Sequence, residues 1–512
     1  MSSSVTYDRR SFFIHGEPFL ILCGSVHYIR LHPSRWDALF DTFHRAGLNT
    51  LETYVFWGEH DGAPPVTAAP SPTPHARPSS YDFSGRRDLF AFLRAASSRS
   101  LKVILRIGPY VCAEVSYGGF PSRLRFVPDI EFRTYNTAFM DEVATWVRYV
   151  ATQLKEEKLM LPQGGPVMLV QLENEYSMVS DAYGDVGGKY LQWCADLQKE
   201  LEFGVPGIMC YGAAEGVVET INSFYAHEEI DGHRQRHADQ PPVWTECWTG
   251  WYNVWGAAKH VRKAEDLAYA VARWFAQGGA GVNYYMWMGG TNFGRSAMYL
   301  QATSYGYDAP VNEFYQETSK MRHLARLHRV LKDKFERAFM ATREQDAECV
   351  GRTVYRWGDA VFVCNDSDEQ LTDVCIEGVE GKYTGVVAAK SVSIIDGFSG
   401  ELLYDSSSIH GDDVVTQELV AAPVVAGDWA SMSEPVPSWD NIEAISEASG
   451  GESRPVVSGA SPPDQLMLTQ DSSDFCFYVA KYRSVGEGKG KRKVEFEAGD
   501  YATVFCDGKM QG

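Results

Sequence analysis

The sequence predicts an α/β fold: a (β/α)8 TIM barrel followed by small all-β domains. Three observations carry that expectation. From residue 19 to about 335, strand-length apolar runs alternate with stretches of helical period, giving about eight β-then-α units. An open doubly wound sheet would favour a G-x-G-x-x-G turn after an early strand, and the chain has none. In the run Pro166–Tyr176, Val167, Met168, Leu169, Val170 and Leu172 read as a strand buried on both faces, closed by Glu173, Asn174 and Glu175. A buried strand ending in carboxylates is costly unless its mouth is a site, because an ionised carboxylate resists leaving water. The C-terminal strand ends of such a barrel form its active-site face.

The elements follow in order. Phe19–Val26 is strand-like. Pro33 suits the first turn of a helix whose Trp36, Leu39, Phe40 and Phe43 recur at helical spacing and which Gly47 stops. Leu48–Trp57 is the second strand, Asp88–Ala96 belongs to the next helix, and Leu101–Ile107 is the third strand. Phe139, Met140, Val143, Val147, Val150 and Leu154 mark a long helix before the strand at 166–173. Tyr190, Leu191, Cys194, Leu197 and Leu201 give another. Short strands are expected at Val205–Cys210, Ile221–Tyr225 and Pro242–Glu246. The sixth unit is the weakest, its helix short or missing. A helix around Leu267, Val271, Trp274 and Phe275 leads to the eighth strand, Gly281–Trp287, and Met321–Leu331 closes the barrel.

The barrel is thus placed in residues 1–335. Its rhythm breaks once, at 61–80, where six prolines among Ala, Ser and Thr read as a flexible or polyproline-like insertion on the active-site side. Residues 340–431 lose the helical period. Val354–Cys364, Gln370–Val379, Val386–Ile395 and Val414–Val425 read there as a small antiparallel β domain. Residues 432–465, rich in Ser, Pro, Glu and Gly, read as a linker. Strands resume at Phe475, and 466–512 reads as the start of an incomplete β-sandwich or jelly-roll domain, as though the chain were truncated.

Composition narrows the chemistry. The 512 residues carry 47 Lys and Arg against 67 Asp and Glu, a net charge of -20. That disfavours nucleic acid and anionic membranes as partners and leaves a neutral ligand. No run approaches the roughly 20 apolar residues that span a bilayer, and residues 1–10 lack the order of a secretory signal. The ten cysteines include no C-x-x-C pair and read mostly as buried free thiols. No metal and no cofactor is expected. Asn365-Asp-Ser367 reads as a chance sequon.

A second carboxylate shares the strand-end context. Pro241–Trp251 contains a short strand ending at Glu246, with Trp244, Trp248 and Trp251 around it. Two glutamates at one barrel mouth, with aromatic rings for sugar faces, suggest glycoside hydrolysis. That reaction needs one carboxyl protonated for the leaving oxygen and one ionised for the anomeric centre. Spacing alone leaves open that these glutamates are structural hydrogen-bond partners.

Motifs in order along residues 5–310 make the chain resemble the glycoside hydrolase family 35 β-galactosidases, plant-type members most. They include Gly24-Ser-Val-His-Tyr28, Glu52-Thr-Tyr-Val-Phe-Trp57, Arg106-Ile-Gly-Pro-Tyr-Val-Cys-Ala-Glu114, Glu173-Asn-Glu-Tyr176, Trp244-Thr-Glu246, Gly289-Gly-Thr-Asn-Phe-Gly294 and Tyr307-Asp-Ala-Pro310. The resemblance implies a retaining exo-β-galactosidase acting on terminal β-D-galactose, with Glu175 as general acid/base and Glu246 as nucleophile. It implies that Tyr54, Ala113, Glu114, Asn174, Trp251, Tyr285 and Tyr307 bind substrate, Asn174 at the 2-hydroxyl. It also implies a carbohydrate partner and a vacuolar, lysosomal or extracellular location. Glu173, two residues before the acid, is placed by strand alternation on the same side. His27 and Arg30 are expected as structural hydrogen-bonding groups.

The chain departs from the family pattern at Gly58–Gly62, Val115, Ser177 and Gly306, which touches subsite shape rather than either glutamate. Two rival readings stand beside galactose hydrolysis. One is the same chemistry on a β-glucoside or β-glucosaminide, and the other is an inactive galactoside-binding protein.

Overall fold

The computed structural model of the chain describes residues 4–61, 76–212, 214–298, 300–336, 339, 348–349, 354–375, 384–415, 478, 505–506 and 509–510. The chain separates into two compact units, Met1–Gly62 with Pro78–Gln417 and Ala63–Arg77 with Glu418–Gly512. Most of the proline-rich insertion, all of the 432–465 linker and nearly all of 466–512 lie outside the described residues.

The first unit opens with a three-stranded antiparallel sheet, β1 (Val5–Tyr7), β2 (Phe12–Ile14) and β3 (Glu17–Phe19). The strands have three residues each, too few to show a period in sequence. They also divide the expected run Phe19–Val26, because Phe19 pairs with Phe12 in this sheet and the first barrel strand begins at Ile21.

Eight strands then close into a barrel: β4 (Ile21–Val26), β5 (Thr50–Tyr54), β6 (Lys102–Gly108), β7 (Val167–Leu172), β8 (Gly207–Cys210), β9 (Val218–Ser223), β10 (Val243–Trp248) and β11 (Gly281–Met288). Each lies parallel to its sequence neighbours, and β11 closes onto β4. Burial on both faces explains why their sequences read as continuous apolar runs. Trp57 begins a short helix, so the second strand is shorter than Leu48–Trp57.

The helices are α1 (Trp36–Ala46), α2 (Trp57–His60), α3 (Leu89–Ser98), α4 (Thr137–Glu156), α5 (Ser177–Tyr183), α6 (Asp185–Glu200), α7 (Ile230–Arg236), α8 (Ala264–Ala276) and α9 (Ser319–Val330). Their limits follow local chemistry. Asp88 and Asn136 cap α3 and α4 by accepting from Ala91 and Phe139 backbone N–H groups at 2.8 and 2.9 Å. Gly47 ends α1 at a φ of 76°, a conformation open to glycine. The weak sixth unit has a short helix, the seven-residue α7. The unit without one is the fifth, where β8 passes to β9 through residues 211–217 with no helix among the described residues.

Beyond the barrel, β12 (Glu348–Cys349), β13 (Val354–Trp357), β14 (Ala360–Asn365), β17 (Ser391–Asp396) and β18 (Leu402–Asp405) form an antiparallel sheet, and β15 (Leu371–Cys375) pairs with β16 (Thr384–Val387). The run Val354–Cys364 is a hairpin of two strands, and Val386–Ile395 also divides in two. Leu402–Asp405 is a strand that no sequence run announced; of the expected run Val414–Val425, Val414 and Val415 lie outside any strand and the rest lies outside the described residues. One face of β14 packs Phe362 and Cys364 into the main core, and the other joins Val361 and Val363 to Val387 and Ile395. Arg273 of α8 holds this sheet through the Asp366 carboxylate at 3.0–3.1 Å. Asn365 is buried, and its amide donates to three backbone carbonyls, so the sequon asparagine is a structural tie.

The closing strand pair is tight. A methyl added at Gly24 of β4 would lie 2.7 Å from Cβ of Trp287 in β11 and 3.1 Å from Leu48. We expect Gly24→Ala to destabilise the first unit by about 1–3 kcal/mol, read as a lower melting temperature by scanning calorimetry. An unchanged transition would show that this seam has slack.

Candidate active site

A pocket opens at the C-terminal end of the barrel, with about 310 Å3 of space between its walls and across its open mouth. It is lined by Tyr54 at the end of β5; Val111, Cys112, Ala113 and Glu114 after β6; Asn174 and Glu175 after β7; Glu246, Trp248 and Trp251 from and after β10; and Tyr285 and Tyr307 from and after β11. All nine residues expected at the site face this one pocket. Roles are a separate matter from position.

The two glutamates occupy unlike surroundings. Glu246, 5% exposed, faces three donors. The Tyr54 hydroxyl and Arg106 Nη1 each donate to its Oε1 at 2.7 Å, and the Trp248 indole N–H donates to its Oε2 at 3.0 Å. One donor is a cation, so the arrangement suits a negative charge. Among the described residues the Glu175 carboxyl accepts from one side-chain amide, Asn222 Nδ2 at 2.9 Å. Burial pushes its carboxyl up to about 7, and the neighbouring Glu246 charge adds to the rise. The two carboxyls therefore sit in environments of opposite character, one built around donors and one around burial.

The strand-end backbone places these groups in an unusual way. Glu173 and Glu175 have φ of 63° and 48°, and Cys112, Ala113 and Glu114 follow one another at 54°, 48° and 49°. Tyr307 and Asp308 share that left-handed region at 55° and 53°. Non-glycine residues adopt it at a cost and gather at sites where the surroundings enforce it.

This geometry corrects the expectation for Glu173. Alternation fails once the strand ends at Leu172 and the chain turns left-handed. The Glu173 carboxylate leaves the pocket and is clamped by Arg133 at 2.7 and 3.3 Å and by the Tyr190 hydroxyl at 2.9 Å. Arg133 also donates to the Asn174 carbonyl at 2.6 Å, which fixes the turn carrying the pocket glutamate. Trp244 is the second correction. It is fully buried against Trp274 and donates to the carbonyls of Ser223 and Glu246, so it supports β10 and offers the pocket no ring.

Behind the pocket wall, Arg30 stacks 3.6 Å from the Tyr305 ring and donates to the Asn292 side chain and the Ala113 carbonyl. Its Nη1 meets His27 Nδ1, which makes both residues structural supports. Tyr305 donates to Glu114 and contacts the Tyr285 hydroxyl at 3.0 Å. Burial raises the Glu114 carboxyl, while the Tyr305 bond and Arg30 oppose the rise. Sequence reading did not single out Arg106, Tyr305, Asn222, Glu52 or Asn283. A signal existed for three of them: Glu52, Arg106 and Asn283 are polar residues inside apolar strand runs, where a partner is obligatory.

A closed parallel barrel whose mouth gathers two glutamates in unlike surroundings among aromatic rings has the make-up of the glycosidase-type barrels. The chain belongs to glycosyl hydrolases family 35, whose family model matches residues 11–331. It is 41% identical to Beta-galactosidase 8 of Arabidopsis thaliana, 35% to Beta-galactosidase 6 of Oryza sativa subsp. japonica and 33% to Probable beta-galactosidase 2 of Dictyostelium discoideum. Those matches take in 99–100% of this chain, which spans 58–65% of the relatives' length. Among solved structures, a beta-galactosidase from the psychrophilic Marinomonas ef1 matches at a TM-score of 0.43 and 12% identity, over 63% of this chain and 62% of that one.

If the Glu246 charge helps to hold the proton on Glu175, neutralising it should let that proton go. We expect Glu246→Gln to lower the Glu175 pKa, followed through its side-chain carboxyl signal by 13C NMR. A value unmoved by the substitution would assign the whole rise to burial.

Proposed function

We propose that this chain carries a retaining exo-β-galactosidase that removes terminal non-reducing β-D-galactose by double displacement. The observation behind the reading is the pairing of unlike carboxyls in one pocket, Glu175 with its proton held to about 7 and Glu246 facing three donors. Membership of family 35 and the β-galactosidase names of the relatives supply the substrate class. The catalytic body on this reading is residues 1–335, with 340–431 as a β domain, 432–465 as a linker and 466–512 as the start of a further β domain. A vacuolar, lysosomal or extracellular setting belongs to the same proposal.

In the first step, a lone pair of Glu246 forms a bond to the anomeric carbon. The glycosidic C–O bond breaks with its electron pair on the leaving oxygen, which takes the Glu175 proton. In the second, Glu175 takes a proton from water, whose oxygen bonds the anomeric carbon as the Glu246 ester bond breaks. Asn174 serves the 2-hydroxyl, a contact worth most when the ring flattens. Glu114 and the Ala113 backbone take other hydroxyls, and Tyr54, Trp251, Tyr285 and Tyr307 form the walls. The Tyr54 hydroxyl also steadies the nucleophile.

Hydrolysis of nitrophenyl β-galactoside beside its glucoside and glucosaminide analogues tests the sugar. Preference for either analogue replaces the galactoside reading, and no turnover by the folded chain favours a binding protein. Because the acid works protonated, kcat/KM for a disaccharide should fall as pH climbs through about 7. Glu175→Gln should cost about 100-fold or more on that disaccharide and far less on an activated leaving group. Wild-type disaccharide rates from this variant would remove Glu175 from the acid role.

A further inference from the structure

A third carboxylate lies beneath the pocket with no part in the chemistry described so far. Glu52 of β5 is fully buried inside the barrel. Its Oε2 accepts from Asn283 Nδ2 at 2.9 Å, and its Oε1, without a hydrogen bond among the described residues, sits 3.8 Å from Arg106 Nε, which has none among them either. The same guanidinium donates through Nη1 to Glu246 at 2.7 Å and through Nη2 to the Asn174 side chain. One buried cation thus stands between two carboxylates. One of them is the proposed nucleophile, and the other never reaches the pocket.

The double displacement makes this arrangement consequential. When Glu246 bonds to the anomeric carbon its carboxylate becomes a neutral ester, and the negative charge moves to Glu175 as that residue loses its proton. Arg106 then loses the anion bonded to Nη1 while remaining buried, where an uncompensated charge is costly. We propose that Glu52 is a positioning residue that serves as the lasting counter-ion of Arg106, weakening its hold on Glu246 before the bond forms and neutralising it in the glycosyl-enzyme.

Both effects push the same way. A carboxylate behind Arg106 repels Glu246 and draws guanidinium charge from it, leaving the nucleophile more reactive. After the ester forms, Glu52 stabilises the product of that step. Burial raises the Glu52 carboxyl to about 7; Arg106, Ser25 and Asn283 oppose the rise, and Glu246 adds to it. The other groups facing it are Cys23 of β4 and Tyr54 at the end of its own strand. Esterification of Glu246 removes the neighbouring charge that adds to the rise, so Glu52 carries its own charge most readily in the glycosyl-enzyme, where Arg106 needs it.

The inference rests on the double-displacement reading, and 2-deoxy-2-fluoro-β-galactosyl fluoride separates the two. Fluoride leaves without a proton, so trapping reads bond formation at Glu246 and hydrolysis of the trapped ester reads the second step. Failure to label Glu246 in the wild-type chain would sink the reading itself. If wild type is labelled, Glu52→Gln should slow trapping about tenfold, the effect of one pKa unit at a neighbouring group, while reactivation proceeds as fast or faster. Glu52→Asp should recover part of the trapping rate. Structural damage instead slows both steps, so equal slowing, or an unchanged trapping rate, overturns the proposal. Should neither variant fold, Glu175→Gln supplies the test. With the acid removed, its trapping rate should rise as pH passes through about 7, and a flat profile there overturns it.

Discussion

A guanidinium with no access to water organises this molecule. Arg106 is 1% exposed at the end of a barrel strand, and its side chain meets Glu246, Glu52 and Asn174. A buried cation is tolerated only with paired anions and satisfied donors. Its partners come from three other strands or their ends, Glu52 within β5, Asn174 just past β7 and Glu246 in β10, so the charge can be met only when the barrel has closed. Cys210 of a fourth strand lies 3.3 Å from Nη2 and completes the ring. Closure and site assembly are in this sense one event.

From that centre the pocket grades outward. Near Arg106 the groups are charged and fixed by several bonds each. Further out, Tyr285, Tyr307 and Trp251 pack edge-on or tilted at centroid distances of 5.3 and 6.0 Å, forming walls with few polar atoms. Loops in left-handed conformation hold the rim, and their carbonyls are tied by arginines, Arg30 at Ala113 and Arg133 at Asn174. The strained backbone is thus restrained by cations outside the pocket. Donors fixed in this way favour negative charge on the carboxyls they face.

The barrel was legible because each parallel strand is buried on both faces and each helix on one, which writes two distinct periods into the chain. Where elements are three residues long, as in the sheet before the barrel, no period forms and no expectation arose. Alternation held inside strands and failed one residue past their ends, which is why Glu173 was assigned to the wrong side. Trp244 misled for a related reason: an indole next to a site glutamate looks like a platform until the strand's twist turns it into the helix layer.

By itself the sequence determined which residues would meet. Motifs at separated strand ends, joined to a (β/α)8 period, carry Tyr54, Glu114, Glu175 and Glu246 to one mouth, because that topology sends every strand's C-terminal end to the same face. Only the tertiary structure decided what each carboxyl experiences. Burial, the count of donors and the distance to a neighbouring charge set whether a glutamate keeps its proton, and all three are fixed by side chains remote in sequence. The glutamates at 52, 114, 173, 175 and 246 share one side chain, and packing gives each a different environment.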